Sequence, residues 1–289
     1  MISINTNYGG IFAAKASSQA TLRVDQAMER LSTGKRINHA RDDSAGQAIA
    51  TRLAAEIEGL AMASRNVADG QSLVDTAESA LVETHALLLR MREVSVQAAN
   101  GTLSTADNTA LDAEFQQLVA EIDRISDNTS WAGTKLLNGD STGAASTSAT
   151  FAFQAGVNNT TADTISVDIS NADAATLGIF DDSTTAGTND ITLTDATNAG
   201  LAIAAVDAAI AAVSTERGKL GAVSNRMSST MANLDQITVN LTASKGRIED
   251  ADFAVETGNL AKGQILQQAA TAMLAQANAS KQQVLTLIR

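Results

Sequence analysis

Ser32-Thr33-Gly34-Lys35-Arg36 is the stretch of this sequence most like a phosphate-binding loop. Such a loop cradles a polyphosphate in backbone N–H groups. It needs a glycine five residues ahead of its Gly-Lys pair and a serine or threonine behind it. Those positions hold Glu29 and Arg36, so nucleotide binding is not expected. His39 and His85, the two histidines, are far apart in sequence, and no histidine, cysteine and carboxylate spacing suits a transition metal. The acidic groups Asp42-Asp43, Asp181-Asp182 and Glu249-Asp250-Asp252 supply too few oxygens to enclose calcium. They read instead as solvated faces or as charges at helix N-termini. No serine, histidine and aspartate set has a sensible context, and there is no cysteine for thiol chemistry. The reading is of a chain that is not an enzyme, with no catalytic residues, no cofactor and no metal.

Composition narrows the class further. The net charge is −12, which repels nucleic acid and anionic membranes, so neither is an expected partner. Aromatic residues make up 3% of the 289 residues, so buried area must come from Ala, Leu, Ile and Val in closely packed helices. There is no proline, where average usage would give roughly fourteen. A proline-free chain refolds without slow peptide-bond isomerisation, which suits a protein that travels unfolded. The opening "MISINTNYGGIFAAKASS" lacks the basic start of a secretory signal, and no run approaches 18 consecutive apolar residues. Export without a cleaved signal, or residence in the cytosol, is expected.

The elements follow from periodicity. From about 3 to 33 the spacing is weakly helical, and "STGKRINHARDDSAG" (32–46) breaks it. From 44 to 100, positions 53, 60, 67, 74, 81 and 88 are large and apolar, while 63, 70, 77, 84 and 91 are Ala, Gly, Ala, Thr and Met. A seam alternating large and small residues lets another helix approach closely, and Gly70 suggests a point of closest approach. "STAD" (104–107) resembles a capping box ahead of a third helix. "NTSWAGTKLLNG" (128–139) is turn-rich, "ATFAFQAG" and "DTISVDIS" alternate like strands, and "STTAGTND" reads as an exposed loop. Heptad spacing returns near 199 and runs to about 244, "SKGRIEDAD" (244–252) is the expected break, and a last helix reaches the final residue.

The predicted fold is mainly α. It is an elongated rod of long antiparallel heptad helices with a small β-hairpin region, its N- and C-termini paired as a terminal coiled coil. The expected divisions are 1–43, the N-terminal half of the terminal domain; 44–180, rod helices plus hairpin; 181–197, a short variable loop; 198–244, the C-terminal rod helix; and 245–289, the C-terminal half of the terminal domain. A two-helix pair with small residues at its seam buries little area. The end segments are therefore expected to order only on assembly.

Several stretches together resemble one family. "LSTGKRINHARDDSAGQAIATRL" (31–53), "RNVADGQSLVDTAESAL" (65–81), "NTSWAGTKLLNG" and the whole of 246–289 are similar to the signature segments of bacterial flagellin, the filament subunit. "FQAGVNNTTADTISVDI" resembles its hairpin region. The resemblance implies a subunit that polymerises into the flagellar filament used for swimming, located outside the cell. It implies an interface on the terminal helices at Ile4, Tyr8, Ile11, Leu22, Leu31, Leu266, Ala270, Met273, Ala277, Val284 and Leu287. It also implies an export chaperone that holds the C-terminal segment, together with filament cap and hook-junction proteins. "LRMREVSVQAAN" (89–100) resembles the segment read by an innate immune receptor of the Toll-like class, which implies contacts at Arg90, Val94 and Glu114. A hook–filament junction protein shares such termini and is the alternative reading.

Overall fold

A computed structural model describes residues 6–139, 148–179 and 191–287, with the side chains of 281–287 outside that description. The expected loop "STTAGTND" therefore lies outside the described residues. Five α-helices and four strands are described: α1 (Tyr8–Thr33), α2 (Ser44–Ala98), α3 (Thr105–Asn128), β1 (Ser130–Trp131), β2 (Thr134–Lys135), β3 (Ser148–Gln154), β4 (Thr164–Ser170), α4 (Ala196–Glu249) and α5 (Phe253–Leu287). The mainly helical class with a small hairpin holds. The chain forms two compact units, a terminal unit of residues 1–57 and 238–289 and a central unit of 58–237. Both boundaries fall inside the long helices α2 and α4, not at the turns where the sequence suggests dividing them.

The central unit is built on the α2 heptads. Leu60, Val67, Val74, Leu81 and Leu88 are buried, and so are their small companions Ala63 and Ala77, with Thr84 and Met91. Each fully buried Leu or Val contributes about 1.5–3 kcal/mol by area removed from water. From α4, Val206, Ala209, Val213, Leu220 and Met227 complete the seam. Gly70 is the predicted close approach: a Cβ there would lie 3.0 Å from the Met227 methyl and 3.0 Å from the Phe153 ring of β3. α4 also contains a stretch long and apolar enough to cross a membrane, where the sequence reading finds none. Its apolar character comes from alanine, valine, leucine and isoleucine, of which Ala199, Ala202, Val206, Ala209 and Val213 are buried.

α3 starts at the expected capping box. The Asp107 N–H donates to Ser104 Oγ at 3.3 Å, and the Ser104 N–H donates to Asp107 Oδ2 at 3.0 Å. Hydrogen bonds from the Ser104 hydroxyl and N–H hold the Asp107 carboxyl below the ordinary range. Phe115, Val119 and Ile122 of α3 enter the core. The turn after α3 is a two-residue hairpin, β1 antiparallel to β2, with Ala132 at φ 49° and Gly133 at φ 86°. Two successive positive φ values match the right-handed strand twist, and glycine supplies the second at no steric cost. β3 pairs antiparallel with β4, Phe151 opposite Val167. Ile165, Val167 and Ile169 point inward at every second residue. Residues 191–195, expected to be part of a variable loop, pack instead on α3: Leu193 is buried and its N–H donates to Asp112 Oδ1 at 2.8 Å.

Two carboxylates fix this unit internally. Glu216 of α4 is buried and accepts from the Ser170 N–H, the Ser170 hydroxyl and the Lys219 ammonium, each at 3.0 Å. Asp123 accepts from the Ala174 N–H at 2.8 Å. Burial pushes the Asp123 carboxyl up, the charges of Asp173 and Asp127 add to the rise, and the Ala174 N–H opposes it. A raised carboxyl favours the protonated form in the fold. Its stabilisation is present in acid and is lost as pH rises through the folded pKa. Asp123→Asn keeps the acceptor and removes the charge. Thermal melts are expected to show a rise of roughly 1–3 °C near neutral pH that vanishes below about pH 3.5. An unchanged neutral Tm would contradict this.

Candidate functional site: the paired terminal helices

In the terminal unit, α1 packs antiparallel on α5. Asn7 caps α1 by accepting the Gly10 N–H at 3.0 Å, and its amide donates to Asn278 Oδ1 at 3.3 Å. Further along, the Gln267 amide donates to Thr21 Oγ1 at 3.1 Å, and Arg30 pairs with Glu256 at 2.9 Å. These polar contacts set the register.

The seam between the two helices is made mostly of small residues, with Glu256 the exception among its buried positions. On α1 the buried positions are Gly10, Ala13, Ala20 and Ala27, the alanines seven residues apart. On α5 they are Glu256, Gly263 and Ala270, again seven apart, with half-buried Ala277 one step beyond. A Cβ on Gly263 would sit 2.8 Å from Val24 Cγ2, and one on Gly9 would meet the Ala277 methyl at 3.6 Å. Small residues on both faces let two helix backbones come close.

Most of the large apolar residues point the other way, while Val24, Leu31, Leu260 and Leu274 are half-buried. Tyr8, Ile11, Phe12, Leu22, Met28, Phe253, Val255, Ile265, Leu266 and Met273 are between 40% and 76% exposed. An open groove of about 430 Å³ runs along the pair, floored by Ala13, Ala16, Ala269 and Ala270 and walled by Phe12, Leu266 and Met273. Soluble monomers rarely expose contiguous apolar surface on this scale, and where they do it marks an interaction site.

The expected interface residues thus divide. Tyr8, Ile11, Leu22, Leu266 and Met273 lie on the outward face, Leu31 and Ala277 are half-buried, and Ala270 faces α1 of its own chain. The sequence places Leu266, Ala270 and Met273 in one seam. All three line the groove, but Ala270 is buried against α1 while Leu266 and Met273 stand exposed, because close backbone approach selects small volume rather than apolarity. Ile4 lies outside the described residues, as do the side chains of Val284 and Leu287.

The turns at the far end of the pair lock together. Gly34, at φ 71°, ends α1. Its carbonyl accepts the Ala251 N–H at 2.9 Å, and the Arg36 N–H donates to the Glu249 carbonyl at 2.6 Å. Arg36 Nη2 donates to the Ile248 carbonyl at 2.7 Å, and Lys35 pairs with Glu249 at 2.5 Å. The apparent phosphate loop is therefore a clasp on the α4–α5 turn. That turn is only Asp250–Asp252, and α4 runs on through Gly246, whose bare Cα admits Asp250 Oδ2. The expected break over 244–252 is accordingly too wide. Asp43 and Asp252 cap α2 and α5 through the Gly46 and Ala254 N–H groups, both at 2.8 Å. Asp42 is drawn up by burial but held below the ordinary range by the His39 and Asn38 N–H groups and by Arg30 and Arg41. His39 contacts Glu29 at 2.8 Å. Among the described residues no three His, Cys, Asp or Glu side chains gather as a metal site.

In the central unit, Arg90 donates to Glu114 at 2.7 and 3.0 Å and to Glu93 at 2.9 Å, all on an exposed surface. Val94 does not share that surface. It is 1% exposed and packs in the core, because its place in the α2 repeat faces inward.

Residues 4–142 match the family model for the bacterial flagellin N-terminal helical region, and 203–288 match that for the C-terminal helical region. A flagellin of Halalkalibacterium halodurans is 46% identical over 91% of both chains. The flagellar filament 33 kDa core protein of Treponema phagedenis is 38% identical over 99% of both. A solved structure assigned to a flagellar hook-associated protein of Vibrio parahaemolyticus covers 72% of this chain and 100% of its own, with a TM-score of 0.57 at 16% identity. At that identity the likeness shows the fold alone.

Proposed function

We infer the polymerisation surface from one premise: this chain belongs to the bacterial flagellin family, and it is a structural subunit of the extracellular flagellar filament that drives swimming. The outward face of the α1–α5 pair is where copies of the chain meet. One observation carries this reading: the buried apolar positions of the pair are glycines and alanines, and ten large apolar side chains are left exposed. Each copy then offers an incomplete surface that another copy covers. Heterologous contacts that do not close on themselves build a helical filament. Purified chain should elongate sheared filament seeds, with filaments visible by electron microscopy and a rise in far-UV helical signal as the ends order. Continued monomer at high concentration and high salt, with unchanged helical signal, would refute it.

Further partners belong to the same proposal. The exposed apolar side chains of α5, including Ile265, Leu266 and Met273, suit an export chaperone that masks them before assembly. Export through the flagellar apparatus without a cleaved leader, and assembly beside cap and hook-junction proteins, rest on the resemblance. Contact with an innate immune receptor would use Arg90 and Glu114, and Val94 would act only by supporting α2 from beneath. Arg90→Ala is expected to lower receptor-reporter activation by monomer at least tenfold, and an unchanged response would remove the contact.

A further inference from the structure

The polar end of the α1–α5 pair holds a second feature. Arg23, Arg30 and Lys262 line a cleft of about 240 Å³ together with Gln26, Glu256 and Asn259. Its floor is Ala27 and Gly263, so no side chain of the pair fills it. Glu256 is buried, and it is already engaged, accepting from Arg30 at 2.9 Å and from the Asn259 amide at 3.2 Å. Arg30 uses only one edge of its guanidinium in this way. Its Nε is buried and has no acceptor among the described residues. Neither Arg23 nor Lys262 has a hydrogen-bond or ion-pair partner among the described residues. The cleft thus presents two unpaired cations, one from each helix, around a single committed carboxylate, and the Arg30 Nε is buried without an acceptor.

We propose that this cleft is a carboxylate site and that its occupant is an aspartate or glutamate of a neighbouring copy of the chain. A carboxylate accepts from a guanidinium edge and an ammonium together, and unpaired Arg23 and Lys262 offer one of each. The chain carries 32 Asp and Glu against 20 Lys and Arg, so an approaching copy offers mostly acids. The cleft opens on the same helix pair as the apolar groove, so the ion pair would fix the register of a contact whose area comes from apolar surface. The inference rests on the polymerisation reading above and adds a polar partner to it.

The test uses full-length chain. Filaments grown from mixed 14N- and 15N-labelled protein are treated with a zero-length carbodiimide and analysed by mass spectrometry. The expected result is a Lys262 peptide joined to an acidic peptide of the other isotope. In parallel, Arg23→Gln/Lys262→Gln is expected to raise the critical concentration for seeded elongation at least tenfold. Arg23→Lys/Lys262→Arg, which keeps both charges, is expected to elongate normally. Melting of the central unit checks that the variants fold. Filaments without the mixed-isotope cross-link, or normal elongation by the glutamine variant, would overturn the site. Inorganic phosphate that promotes elongation of wild type but not of the glutamine variant would place a free anion in the cleft and overturn the neighbour's carboxylate. Failure of wild type to form filaments at all would instead sink the polymerisation reading.

Discussion

A chain ending at Ala270 is expected to form no filaments at ten times the concentration at which full-length protein elongates, while residues 58–237 melt within about 2 °C of wild type. The truncation removes Met273 from the outward face and Ala277 from the seam. It also removes Asn278, the register partner of Asn7. What remains of α5 still meets α1 from Glu256 to Ala270, but the wall of the apolar groove at Met273 is gone. The central unit has its own core of α2, α3, α4 and hairpin residues and does not draw on the deleted segment. Seeded elongation followed by light scattering, with calorimetry of the same sample, reads both halves of the expectation. Elongation by the truncated chain at wild-type concentrations would contradict it.

The second large effect comes from a single added side chain. Gly263→Leu should raise the critical concentration for elongation about tenfold to a hundredfold. A Cβ at 263 would already lie 2.8 Å from Val24 Cγ2 and 3.5 Å from the Val24 backbone nitrogen. The methyl group can yield, but the backbone cannot, so the rest of a leucine must push the helices apart. Overpacking of this kind costs about 1–3 kcal/mol, and each 1.4 kcal/mol is about tenfold in an equilibrium. Val24→Ala removes the nearer obstacle and is expected to restore part of the loss, so the double variant should be better than Gly263→Leu alone. Equal elongation by Gly263→Leu and wild type would mean that the closely packed pair is not the form present in filaments.

The two units were not equally legible in the sequence. In the central unit apolarity and burial coincide. Leu60, Val67, Val74, Leu81 and Leu88 repeat every seven residues and are buried together, and Ser104 and Asp107 announce the start of α3 by their chemistry. Gly70 stands out in a helical repeat, and the Phe153 ring is the reason for it. In the terminal unit apolarity misleads. A hydrophobic pattern puts Leu266 and Met273 inside with Ala270, while the structure puts Glu256 and Gly263 there. The deciding quantity is volume, because the distance between two backbones is limited by the bulkiest side chain between them. The signal was present as sevenfold spacing of Ala13, Ala20 and Ala27 against Glu256, Gly263 and Ala270, which a search for large residues passes over.

Chemistry-like motifs were legible only as negatives. Ser32 to Arg36 fails as a phosphate loop on its spacing, but nothing local says that Lys35 and Arg36 reach a turn more than two hundred residues away. Gly246 looks like a helix breaker and is a clearance for Asp250. The resemblance sets Val94 beside Arg90 as a receptor contact, but Arg90 stands on the exposed surface with Glu114 and the core takes Val94.

The central claim is that the outward face of the terminal pair is covered only by other copies. Because the chain has no cysteine, Met273→Cys provides a single thiol on that face. Its rate of reaction with a maleimide should fall at least a hundredfold between monomer and filament, while a cysteine at exposed Thr215 of the central unit slows far less. Equal reactivity of the residue 273 thiol in monomer and filament would contradict the account.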